Sequence, residues 1–130
     1  MKVEELRIGN WVMPSVDDIP YRVSTIARNY VYVELMTEIT QGIKEIKPIP
    51  LTEEWLYNFG FELDNGFTTY IIKIFKGYLI VALDGSWGVY KDEYSNRTGS
   101  SYNNKIKIEY VHQLQNLYFT LTGEELIIIK

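Results

Sequence analysis

The sequence predicts an α+β protein. A small β-barrel over residues 1–51 is followed by a linker helix over 52–60 and an antiparallel β-meander over 61–130, packed by a C-terminal helix. Three observations predict it. Short runs rich in Val, Ile, Tyr and Thr recur through residues 9–90 between Gly, Pro and Asn turn signals, as strands do. Two stretches, 53–59 and 111–121, instead space their apolar residues three and four apart, the period of a helix. Finally, 46% of the 130 residues are hydrophobic, which is enough for a core that needs no staples, and no cysteine is present to supply any.

Gly9-Asn10-Trp11-Val12-Met13 reads as the first strand, stopped by Pro14. An Asp17-Asp18-Ile19-Pro20 turn leads to residues 21–27, where Tyr21, Val23, Thr25 and Ala27 alternate with the wetter set Arg22, Ser24, Ile26 and Arg28. Arg28-Asn29 turns the chain into Tyr30-Val31-Tyr32-Val33-Glu34-Leu35, β-branched and aromatic throughout its core. Gly42 opens a last run over 43–49, which Pro48 and Pro50 confine to a sheet edge. This Gly-Asn-Trp-Val opening followed by short strands about ten residues apart resembles small SH3-like or Tudor-like barrels.

Thr52 is placed to cap a helix over 53–59, because its hydroxyl can accept from the free amides of the first turn, where Glu53 and Glu54 also suit the dipole. Gly60 supplies the left-handed stop and Phe61 can fold back on Leu56. Trp55, Leu56 and Phe59 form its apolar side, and the helix reads as a hinge or plug between halves. Asp64-Asn65-Gly66, Lys76-Gly77 and Asp84-Gly85 then separate four consecutive strands, of which Tyr78-Leu79-Ile80-Val81-Ala82-Leu83 is apolar enough to be central. Residues 91–105 are polar without rhythm and read as a long exposed loop. Lys105-Ile106-Lys107-Ile108-Glu109-Tyr110 alternates as a half-exposed strand, and after the terminal helix and Gly123 the run Leu126-Ile127-Ile128-Ile129 must be tied down or paired, and if unpaired in the monomer is a candidate edge for dimerisation.

The residue inventory excludes much chemistry. Without cysteine there are no thiolate metal sites or thiol nucleophiles, and His112 is the single histidine. No EF-hand spacing, phosphate loop or complete G-x-S-x-G frame occurs, and Gly85-Ser86-Trp87-Gly88 fits a hairpin turn better than a nucleophile elbow. No catalytic residue, metal ligand or cofactor is therefore assigned. No apolar run approaches a membrane span of about 20 residues, and the expected location is cytoplasmic. A net charge of −4 disfavours a protein that wraps a polyanion.

Two surfaces remain. On a helical wheel Tyr110, Leu114, Leu117, Tyr118 and Leu121 share a core stripe, while His112, Gln115, Asn116 and Phe119 fall on the far side, where a phenylalanine is out of place unless the N-terminal unit covers it or it anchors a partner. His112, Gln115, Asn116 and Phe119, with Tyr94 and Tyr102 from the loop, form the expected partner-binding set. A second reading is single-stranded nucleic-acid binding through the basic, aromatic segment 73–107, using Lys73, Lys76, Lys91, Arg97, Lys105 and Lys107 with Trp87 and Tyr90 for base stacking.

The run Val111-His112-Gln113-Leu114-Gln115-Asn116-Leu117-Tyr118-Phe119, followed by Thr122-Gly123-Glu124-Glu125-Leu126, is joined by Leu6-Arg7-Ile8-Gly9-Asn10-Trp11-Val12 and Ile49-Pro50-Leu51-Thr52-Glu53-Glu54-Trp55-Leu56. Together they resemble a family of short proteins encoded by bacteriophages, prophages and mobile elements of gut anaerobes. The resemblance spans nearly the whole chain. It implies an accessory role in such an element, in binding or modulating. The expected partner is a host or element-encoded protein, or a second copy of the chain. The expectation is a non-enzymatic protein-binding protein.

Overall fold

The computed structural model describes residues 5–14, 19–28, 30–33, 39–42, 46–64, 69–75, 77–90 and 106–129. The chain is α+β, with two antiparallel sheets and two α-helices among the described residues. It divides into two compact units, Met1–Pro50 with Tyr110–Leu121, and Leu51–Glu109 with Thr122–Lys130. The C-terminal helix thus groups with the N-terminal strands, where the sequence had placed it on the 61–130 meander.

In the first unit, β1 (Trp11–Pro14), β2 (Tyr21–Ile26), β3 (Tyr30–Val33), β4 (Ile39–Gly42) and β5 (Ile46–Lys47) form one sheet in the order β4-β3-β2-β1-β5. No pairing joins β4 to β5 among the described residues, so no closed barrel is found. The core is Leu6, Val12, Val23, Val31, Val33 and Ile46, with Tyr21 and Ile26 packed against it. Ile26 belongs there because a register shift between Val23 and Thr25 inverts the alternation of β2, leaving Thr25 exposed. Of the run expected over 43–49, Ile46–Lys47 is an edge strand, as its prolines require, and residues 43–45 lie outside the described residues. Ile39–Gly42, whose Thr-Gln-Gly ending gives little strand signal, is a strand because it pairs residue for residue with β3.

The second unit opens with α1 (Glu53–Asn58), which groups with the meander; the sequence had made it a hinge. Thr52 Oγ1 accepts from the Trp55 amide at 3.4 Å. Gly60 has φ 97°, with its amide donating to Tyr57 O and the Phe61 amide donating to Leu56 O at 2.9 Å, which is a complete Schellman ending. β6 (Glu62–Leu63), β7 (Thr69–Ile74), β8 (Gly77–Ala82) and β9 (Trp87–Tyr90) then pair consecutively, the predicted meander with β8 inside it. Tyr57 of α1 meets Tyr70 of β7 edge to face, ring centroids 5.7 Å apart, and so ties the helix to the sheet.

Residues 106–109 do not form the alternating strand expected of them. They clasp the β8–β9 turn instead: the Ile108 amide donates to Gly85 O at 2.9 Å and the Trp87 indole N–H donates to Ile106 O at 2.9 Å. Ile108 is buried but Ile106 is 67% exposed, so only one of the two isoleucines faces inward. Gly85, at φ 97°, leaves no room for a side chain, since an added Cβ would lie 2.9 Å from Lys107 Cβ. Gly85→Ala is expected to lower stability by about 2 kcal/mol, combining left-handed strain with that overlap. A urea titration of the variant against the parent protein checks it.

The closing residues are held within the second unit. Leu126 is buried, and the Ile129 amide donates to Asn58 O at 2.8 Å at the end of α1. Residues 125–129 take no part in either sheet, and Ile127 and Ile129 remain exposed.

Candidate functional site

α2 (Val111–Thr122) presents Gln115 and Asn116 to residues 5–11 at the start of the first unit. Residues 7–10 turn tightly into β1. The Arg7 amide donates to Asn10 Oδ1 at 2.6 Å, and Gly9 at φ 97° donates its amide to Val23 O at 2.8 Å. This turn leaves the Gly9 carbonyl and the Trp11 amide facing the helix, and Gln115 satisfies both. Its Oε1 accepts from the Trp11 amide at 2.9 Å and its Nε2 donates to Gly9 O at 3.0 Å.

The next residue along the helix, Asn116, likewise uses both atoms of its amide. Its Oδ1 accepts from Arg7 Nη1 at 2.7 Å and from Asn10 Nδ2 at 2.9 Å, while its Nδ2 donates to Glu5 O at 2.8 Å. Asn10 is fully buried in this cluster. The Arg7 guanidinium, oriented by Asn116, lies 4.1 Å from the centroid of the Phe119 ring. Phe119 itself stays 40% exposed.

These contacts correct the expected helix orientation. The buried residues of α2 are Val111, His112, Leu114 and Gln115, and Leu121 of the expected core stripe is exposed. The buried side is turned by roughly a quarter of the helix circumference from the apolar stripe. His112 and Gln115 are each 1% exposed and cannot offer a partner a surface. Asn116 is half-buried and committed to three intramolecular bonds. Of the four helix residues proposed for partner binding, Phe119 retains substantial exposure, and Tyr94 and Tyr102 lie outside the described residues.

The nucleic-acid set divides similarly. Lys73 and Lys107 are exposed and Trp87 is half-buried, but Tyr90 is buried and has no face to stack on a base. Lys107 is drawn into the turn, its Nζ donating to Asp84 O at 3.3 Å. Asp84 in turn accepts from the Ser86 amide at 2.8 Å, and hydrogen bonds from Ser86 with the nearby Lys107 charge hold its carboxyl below the usual range. Lys76, Lys91, Arg97 and Lys105 lie outside the described residues.

Sequence reasoning passed over Glu5, Arg7 and Asn10, the residues that complete the cluster. The Gly-Asn pair beside an arginine was a usable signal, because a glycine-dependent turn exposes backbone groups that need partners. Among the described residues no group of three or more His, Cys, Asp or Glu could hold a metal ion, and no helix is long and apolar enough to cross a membrane. Comparison with protein-family models, with curated proteins and with solved structures found no match to this chain.

Proposed function

We propose that the protein is a non-enzymatic, cytoplasmic accessory protein of a phage or mobile element that acts by binding another protein. The contact surface is Phe119 with Arg7 laid against its ring. The observation that carries this reading is the fixed geometry of the pair: Arg7 is held by Asn116 at 2.7 Å and stands 4.1 Å from the ring centroid while Phe119 stays exposed. Arginine and aromatic side chains supply a large share of binding energy at protein interfaces, and a side chain already ordered loses little entropy on association. An SH3-like small barrel as the scaffold is supported by the sheet order, in which four strands follow one another and β5 returns to pair with β1.

The test is capture from host lysate by the tagged full-length chain and by Phe119→Asp. The variant is expected to weaken its main captured partner by about thirtyfold, as for a residue worth about 2 kcal/mol at an interface, with an unchanged circular dichroism spectrum. A folded variant that holds the same proteins as strongly as the parent would refute the site.

A further inference from the structure

His112 is the one histidine of the chain. Its ring is buried, and among the described residues neither Nδ1 nor Nε2 has a hydrogen-bond partner. Tyr110 stacks on it at 12° between ring planes, and the Glu5 carboxylate lies 3.8 Å from Nε2 on a side chain that is 43% exposed. A hydrocarbon side chain would fill this place without leaving a donor and an acceptor unmade. What imidazole adds is the ability to take up a proton.

We propose that His112 is an acid-operated release for the docking of α2 on residues 5–11. Protonating the ring opens the seam held by Gln115 and Asn116 and frees Arg7 from Phe119. This rests on the seam itself and does not depend on any partner.

The electrostatics favour release over locking. Burial pushes the imidazole below its ordinary pKa, while the Glu5 carboxylate acts in the opposite direction. Arg7 is the other charged group on the facing segment, and its guanidinium is committed to Asn116 and Phe119. Neither α2 nor β1 carries any Asp, Glu, Lys or Arg. Glu5 is therefore the one acceptor facing the imidazolium among the described residues, at 3.8 Å and half in water, so the cation is better solvated with the seam open. The closed form holds a neutral ring, and the open form has an ordinary imidazole titrating near about 6.5. The docked state is at full strength above that pH and weakens as pH falls through it. The opening equilibrium rises by up to about tenfold per pH unit where the open ring is protonated and the closed ring is not.

Because the chain has one histidine, its ring Cε1–H resonance can be followed in the full-length protein without ambiguity. The titration runs from about pH 7.5 to about 4.5, across the imidazole range, alongside amide exchange at Gln115, Asn116 and Leu117 corrected for the intrinsic rate. A ring midpoint below that of free imidazole is expected, with acid-enhanced opening at those amides that His112→Gln abolishes. A ring midpoint at or above the free value would overturn the proposal, as would equal acid sensitivity in parent and variant. Should His112→Gln fail to fold, Glu5→Gln provides a second variant. It is expected to move the ring midpoint further down by removing the charge that favours the cation, and an unmoved midpoint would remove Glu5 from the device.

Discussion

Gln115→Ala is expected to destabilise the first unit by about 3–5 kcal/mol, because one buried side chain satisfies two backbone groups at once. The glutamine is 1% exposed, accepts from the Trp11 amide at 2.9 Å and donates to the Gly9 carbonyl at 3.0 Å. Truncation leaves both groups unpaired beneath the helix at roughly 1–3 kcal/mol each, and adds a void where the amide stood. Gln115→Leu fills most of that void and isolates the polar component, so it is expected to recover only a minor part of the loss. Urea titrations of parent and variants measure both. A loss below about 1 kcal/mol for Gln115→Ala would mean that water enters and replaces the glutamine, and that the seam is less dry than its burial implies.

Phe61→Ala is expected to cost about 3–5 kcal/mol in the second unit, the range for deleting a buried aromatic side chain. Phe61 is 2% exposed and follows Gly60 at the Schellman ending of α1, where its amide donates to Leu56 O at 2.9 Å. That backbone bond survives the substitution, so the loss reports the ring alone. The helix is expected to persist in the folded variant. Thermal unfolding followed by circular dichroism separates the two: a lower midpoint with unchanged helical signal supports the assignment, and an unchanged midpoint refutes it.

The second unit was the more legible in sequence because its instructions are local. The turn signals at 64–66, 76–77 and 84–85 fall between strands that pair antiparallel, and Gly60 with Phe61 fixed how α1 ends; each works within a few residues of chain. The apolar run at Tyr78 correctly marked an interior strand. Residues 106–109 misled because an alternating Lys-Ile pattern describes a half-buried strand and an irregular clasp equally well. What decided between them was the Gly85 carbonyl, exposed by a turn more than twenty positions earlier in the chain.

The candidate site was legible only in part, for the same reason carried further. The sequence by itself determined that residues 111–121 form a helix, that the run beginning at Gly9-Asn10-Trp11 holds the first strand, and that Phe119 lies off the apolar stripe. It could not determine which side of the helix is buried. Apolar spacing put that side on Leu117, Tyr118 and Leu121, yet the buried side includes His112 and Gln115. The tertiary structure decided this through hydrogen bonds spanning 104 to 111 positions, in which Gln115 and Asn116 meet backbone and side-chain groups of residues 5–11. Polar docking leaves no periodicity to read. An amide side chain is indifferent between water and a matching backbone pair until folding brings that pair within about 3 Å.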